Sequence, residues 1–115
     1  MVQTIRLVGD LYQHSMLLLL DSGSSSSFIS QSLAAKIPNW TPLNTPVQIR
    51  VANGTLLQCT HELLHCPVYI QGHCFLVNLK IPPLHCYDII LGIDWLEQYS
   101  PMEIHWKNKL LSFEF

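Results

Sequence analysis

Apolar and polar positions alternate over short stretches along most of this chain, with the two-residue period of strands that bury one face. Residues 4–8 and 11–20 predict two strands around a turn at Gly9-Asp10. The second strand closes with Met16-Leu17-Leu18-Leu19-Leu20, a continuous apolar run that predicts burial on both faces, and it stops at Asp21. Val47-Gln48-Ile49-Arg50-Val51 alternates strictly, and Asn53-Gly54 follows it. That pair is a strong hairpin signal, because both central residues tolerate φ > 0. Residues 56–64 predict the returning strand. Residues 66–70 and 74–81 predict another hairpin about Gln71-Gly72, ended by Pro82-Pro83, with loop at 84–87. Asp88-Ile89-Ile90-Leu91-Gly92 predicts a second buried strand, and residues 103–106 and 110–115 a closing hairpin about Lys107-Asn108-Lys109. Helical spacing is confined to two places. Ser30 suits the cap of a helix through Ile37, with Leu33, Ala34 and Ile37 on one face and Pro38 as the stop. Residues 94–99 read as helix up to Pro101, with Asp94 in the first turn, where an acid suits the helix dipole. The predicted class is all-β with two short helices.

A length of 115 residues gives one domain, spanning 1–115. The chain is 49% hydrophobic but only 12% charged, which is little charge for a lone globule. That balance predicts apolar surface covered by a partner such as a second copy. The formal charge of −2, with no basic cluster, gives no sign of nucleic-acid binding. Leu17-Leu18-Leu19-Leu20 is far shorter than the ~20 residues of a membrane-spanning helix, so no membrane partner is expected. No signal peptide is visible. With Cys59, Cys66, Cys74 and Cys86 beside a proper core, reduced thiols in a cytoplasmic setting are expected. His65-Cys66, His73-Cys74 and His85-Cys86 invite a zinc reading, and His61-x3-His65 has a ligand spacing. On a strand, however, residues four apart are well separated, and no Cys-x2-Cys completes the set. Cysteines acting as small apolar residues are the expectation, with no metal.

The chemistry concentrates where the apolar run ends. Asp21, Ser22, Gly23 and Ser24 place one carboxylate and adjacent hydroxyls on a turn at the edge of the core, an arrangement suited to acid–base work. An ordinary turn after a core strand uses the same residue types and stays open as a reading. Asp21-Ser22-Gly23-x-x-Ser26 also has the spacing of a phosphoserine degradation signal, which needs an exposed flexible segment. The apolar flanks at 17–20 and 28–29 speak against that.

Three motifs, taken in order, resemble a retropepsin, the aspartic protease of retroviruses and LTR retrotransposons. The branch they resemble is the gypsy-class retrotransposon branch with its retrotransposon-derived relatives. They are Leu20-Asp21-Ser22-Gly23-Ser24 followed by Phe28-Ile29, then Val51-Ala52-Asn53-Gly54, then Ile90-Leu91-Gly92 running on as Ile93-Asp94-Trp95-Leu96. The resemblance covers nearly the whole chain. It implies a small closed, barrel-like β domain forming a two-fold homodimer. It also implies that Asp21 is catalytic, that Ser22, Gly23 and Ser24 support its loop, and that Ile90, Leu91 and Gly92 pack behind it. Val51, Ala52, Asn53, Gly54 and Thr55 would form a flap over the substrate. Ser22 stands where many retroviral enzymes have Thr, and Ser24 where this branch often has Ala. The flap carries a single glycine.

Aspartic proteases work through two carboxylates too close for both to ionise, so that one keeps its proton while the other activates water. This chain carries one Asp-Ser-Gly, and Asp10, Asp88 and Asp94 lack the Ser/Thr-Gly that follows a catalytic aspartate. The second carboxylate therefore comes from another copy, with a catalytic water and no cofactor. By the same resemblance the terminal strands, near 2–6 and 110–115, interleave across the dimer and bury Leu111, Phe113 and Phe115. The implied partners are the chain itself and an extended peptide or polyprotein substrate, in an intracellular setting that includes virus-like particles. The alternative is a catalytically silent dimerisation or peptide-binding module of the same fold.

Overall fold

Strand β1 (Thr4–Leu11) lies antiparallel to β2 (His14–Asp21), with Ile5 opposite Leu20 and Val8 opposite Leu17. The turn between them is Tyr12-Gln13, both in left-handed conformation at φ 45° and 67°. The expected turn at Gly9-Asp10 is thus displaced, because Gly9 serves close packing inside β1 instead. A Cβ there would sit 2.6 Å from Leu18 Cδ1 and 2.8 Å from the Tyr69 carbonyl. Burial of β2 on both faces holds only for Leu18, Leu19 and Leu20; Leu17 is 56% exposed. These coordinates come from a computed structural model that describes residues 4–50, 56–83, 87–98, 102–105 and 110–113.

The chain continues through β3 (Phe28–Ile29), helix α1 (Gln31–Ala34), β4 (Thr41–Arg50), β5 (Leu56–Ile70) and β6 (His73–Lys80). It ends with β7 (Ile89–Leu91), helix α2 (Ile93–Gln98), β8 (Met102–His105) and β9 (Leu110–Phe113). Seven strands form one sheet in the order β1-β2-β7-β3-β6-β5-β4, and a further β1–β5 pairing folds the sheet back on itself. Neighbours are antiparallel except β2 with β7 and β3 with β6. The all-β class predicted from the pattern is the class observed.

The residues predicted as two strands over 56–64 and 66–70 form one 15-residue strand, β5. A bulge between Leu63 and Cys66 bends it, with His65 at φ 51° and its N–H donated to Asn78 Oδ1 at 2.9 Å. A bulge kinks a strand without ending it, which is why the break in the pattern did not mark a terminus. The turn at Gln71-Gly72 stands where predicted. Ser30 Oγ accepts the Leu33 N–H at 3.2 Å and so caps α1. The α-helix is shorter than predicted; a last turn carries the chain on to buried Ile37. Trp40 Nε1 closes that end by donating to the Ala34 and Ile37 carbonyls at 3.0 and 3.1 Å.

The core gathers Ile5, Leu11, Leu18, Leu20, Ile29, Val68, Ile70, Leu79, Ile89, Leu91 and Trp95, each nearly or wholly inaccessible. Among the described residues, strands β8 and β9 make a separate two-stranded antiparallel sheet. The predicted flap residues Val51, Ala52, Asn53, Gly54 and Thr55, and the turn at 107–109, lie outside the described residues. Among those described, no helix is long and apolar enough to cross a membrane.

Candidate active site

Asp21 is the last residue of β2, opposite Thr4 of β1, and the preceding residue, Leu20, pairs with Leu91 of the parallel strand β7. Its carboxylate thus leaves the sheet between two strands that are both rooted in the core. The side chain is half-buried. The Gly23 N–H donates to Asp21 Oδ1 at 2.8 Å, and the Ser24 N–H donates to the Asp21 carbonyl at 3.2 Å. A tight turn therefore fixes one carboxylate oxygen. An ionised carboxylate offers about four acceptor positions, so capacity remains for a water or a second carboxyl group. Ser22 is half-buried and Gly23 exposed in the same turn.

The loop beyond is clamped by the start of α2. Ser24 Oγ donates to the Ser26 carbonyl at 2.7 Å, while the Ser24 carbonyl accepts the Ile93 N–H at 2.8 Å. Ser27 is completely buried. Its Oγ accepts the Gly92 N–H at 3.0 Å and donates to Asp94 Oδ1 at 2.6 Å, and its own N–H donates to Asp94 Oδ2 at 3.1 Å. Asp94 Oδ1 also accepts the Trp95 N–H at 2.7 Å. Hydrogen bonds to an ionised acceptor are the strong kind, so one carboxylate ties the loop to the first turn of α2. Gly92 is needed at this crossing: a Cβ there would stand 2.5 Å from the Ser26 carbonyl oxygen and 2.6 Å from that of Ser24. Both obstacles are backbone, which cannot swing aside.

Strand β7 is held in turn. Asp88 Oδ2 accepts the Leu17 N–H at 2.8 Å, and the Asp88 carbonyl accepts the Ser30 N–H at 2.8 Å. Leu91 is fully buried and Ile90 half-buried. Trp95 meets Phe75 edge-on at 5.3 Å between centroids, anchoring α2 to β6. The structure thus brings Asp21, Ser22, Gly23, Ser24, Leu91 and Gly92 to one loop crossing, with Ile90 beside them.

Ser27 and Asp94 belong to this assembly and were not singled out from sequence as a pair. From sequence, Asp94 suits the dipole of α2, and its contact lies 67 residues away along the chain. The available signal was an acid two residues after the glycine of a buried strand, set against a serine run with more hydroxyls than a turn needs. The other aspartates are engaged elsewhere: Asp88 and Asp94 as above, and Asp10 by the Ser15 hydroxyl at 3.1 Å. Arg6, on the same face of β1 as Thr4, lies with its guanidinium carbon 5.9 Å from the Tyr87 ring centroid, a cation–π contact ahead of β7.

Comparison with known proteins bears on this geometry. A family model described as the PEG10/RTL1 protease domain matches residues 17–115. The enzymatic polyprotein of Carnation etched ring virus is 30% identical over 84 residues, which is 71% of this chain. The chain spans only 12% of that polyprotein's length. The crystal structure of the retroviral protease-like domain of Ddi1 from Leishmania major superposes with a TM-score of 0.76. That match covers 97% of this chain and 89% of the other at 16% identity, a likeness of fold.

Proposed function

Because this chain belongs to the PEG10/RTL1 protease domain family, we propose that it is one half of a homodimeric aspartic endopeptidase. Asp21 from each subunit would meet on the two-fold axis. Two carboxylates at that range share a proton. The ionised one takes a proton from a water held between them, and the water oxygen attacks the scissile carbonyl. The protonated one donates to the carbonyl oxygen and stabilises the tetrahedral intermediate. Transfer of a proton to the amide nitrogen then lets the C–N bond break. No cofactor enters.

The observation that carries this reading is the Asp21 carboxylate: partly accessible, fixed through one oxygen by the Gly23 N–H, with the other three aspartates engaged elsewhere. A rigid support is what a catalytic carboxylate needs, since small misplacements are costly in rate. Ser22 would bond across the axis, and residues 51–55 would close over a peptide bound as an extended strand. Dimerisation draws support from the C-terminal hairpin. Among the described residues β8 and β9 pair only with each other; a two-stranded sheet is marginal in water, and a second copy would extend it. The substrate proposed is a polyprotein that includes this domain, cut inside the cell.

A silent dimerisation or peptide-binding module is the second reading. The clamp from Ser27 to Asp94 would hold the same fold whether or not Asp21 reacts, so the architecture is compatible with that reading. The deciding experiment is cleavage of a mixed peptide library, with and without a pepstatin-type transition-state mimic, across a range of protein concentrations. Asp21→Asn keeps an oxygen for the Gly23 N–H, so the fold should persist while cleavage disappears. Undiminished cleavage by that variant sinks the peptidase reading. A species that sediments as a monomer at every concentration favours the silent module.

A further inference from the structure

At the end of β2 remote from Asp21, the β1–β2 turn, the end of α1 and the kink in β5 enclose a cleft of about 500 Å³. His14 lines it, and seven residues of strand at about 3.3 Å each put it roughly 23 Å from Asp21. That volume lies in the range of small-molecule sites. The cleft is independent of the peptidase reading.

Its walls divide by chemistry. Ile37, Leu63 and Cys66 are lining residues that are themselves buried, and they supply an apolar surface. Burial pushes the Cys66 thiol up to about 11, so it stays neutral and behaves as part of that surface. Lys36 supplies an ammonium and His14 an imidazole N–H at the exposed part, and no lining residue is acidic. Electrostatic complementarity therefore favours a negative group.

The backbone around the cleft is unusual in the same place. Five non-glycine residues among those described adopt left-handed φ, and Tyr12, Gln13, Asn39 and His65 are four of them. Tyr12 and Asn39 line the cleft, and His65 stands between its lining residues Leu64 and Cys66. A two-residue hairpin turn favours Asn-Gly, yet Tyr-Gln occupies this one. Conformations that cost stability gather at ligand clamps and similar functional sites.

The geometry points to a binding site here for a small organic anion: a carboxylate on an apolar body, the carboxylate against Lys36 and His14 and the body against Ile37, Leu63 and Cys66. The test is titration calorimetry of the whole chain with octanoate, octanol and octyltrimethylammonium. Octanoate should bind saturably at one site and at least about tenfold more tightly than either comparison probe, as expected for a charge-assisted contact. Lys36→Glu, on an exposed side chain, should weaken octanoate by at least the same factor and leave the unfolding midpoint nearly unchanged. Replacing Tyr12-Gln13 by Asn-Gly should raise that midpoint and weaken octanoate. Equal binding of the three probes, no saturable octanoate binding, or octanoate affinity untouched by Lys36→Glu would each overturn the assignment. Capture of a peptide carboxy-terminus by a chain that ignores octanoate would do the same.

Discussion

Ser27 and Asp94 are joined twice, hydroxyl to Oδ1 at 2.6 Å and backbone N–H to Oδ2 at 3.1 Å, and the same hydroxyl takes the Gly92 N–H. One side chain thus links the loop after Asp21 to both β7 and α2. Ser27→Ala removes the hydroxyl and strands the buried Gly92 N–H. Leaving a buried donor unsatisfied costs about 1–3 kcal/mol, to be read from urea denaturation. Any Asp21-dependent cleavage should fall as well, although Ser27 touches no substrate. A variant with wild-type stability would show that the pair is incidental.

Gly92→Ala and Gly72→Ala separate crowding from backbone conformation. At Gly92 a methyl meets two backbone oxygens, whereas at Gly72, with φ +80°, the space is open. The Gly92 change should cost about 3 kcal/mol, the upper end for overpacking, and displace the Asp21 loop. The Gly72 change pays only for a left-handed φ, about 1 kcal/mol. Thermal midpoints should fall in that order; equal loss would mean that the loop at 24–26 yields.

Alkaline pH should destabilise the protein through Cys66. Burial raises its thiol from 9.0 to about 11, and Cys59 is raised too, chiefly by burial. Between those pH values the unfolded chain releases the Cys66 proton while the folded chain retains it, so stability falls as pH rises. The contribution is intact below about pH 9 and lost by about pH 11. Denaturation at pH 8, 9.5 and 11 should show the decline, and Cys66→Val should flatten part of it. A slope identical in that variant would place the titration elsewhere.

Trp40→Phe keeps an aromatic ring beside His61, 6.0 Å away between centroids, but removes the donor to the Ala34 and Ile37 carbonyls. The expected cost is about 1 kcal/mol for one neutral hydrogen bond, visible as a lower denaturation midpoint. An unchanged midpoint would indicate that water replaces the indole N–H.

Local signals carried far in this chain where one residue type has one use. Ser30 caps α1, Gln71-Gly72 turns a hairpin, and apolar runs mark β2 and β7. They failed where a residue serves a distant neighbour. Gly9 reads as a turn but is small for the sake of Leu18 and Tyr69, and the turn falls on Tyr12-Gln13, which no turn rule favours. Leu17 reads as buried, yet the outer face of β2 is covered only nearer Asp21. At the candidate site, Asp21 and Gly92 were legible because apolar strands run into them. The bond between Ser27 and Asp94 was not, since strand period and helix dipole are both local properties and the contact is not.

The parallel pairing of β2 with β7 joins residues 18–20 to residues 89–91. During synthesis the Asp21 segment therefore leaves the ribosome long before the strand and glycine that shape it exist. A chain interrupted between Ser26 and Asp88 holds the acidic residue but lacks the strand and glycine against which its loop is set. Translation order alone leaves the Asp21 loop without that support until β7 and Gly92 have been made.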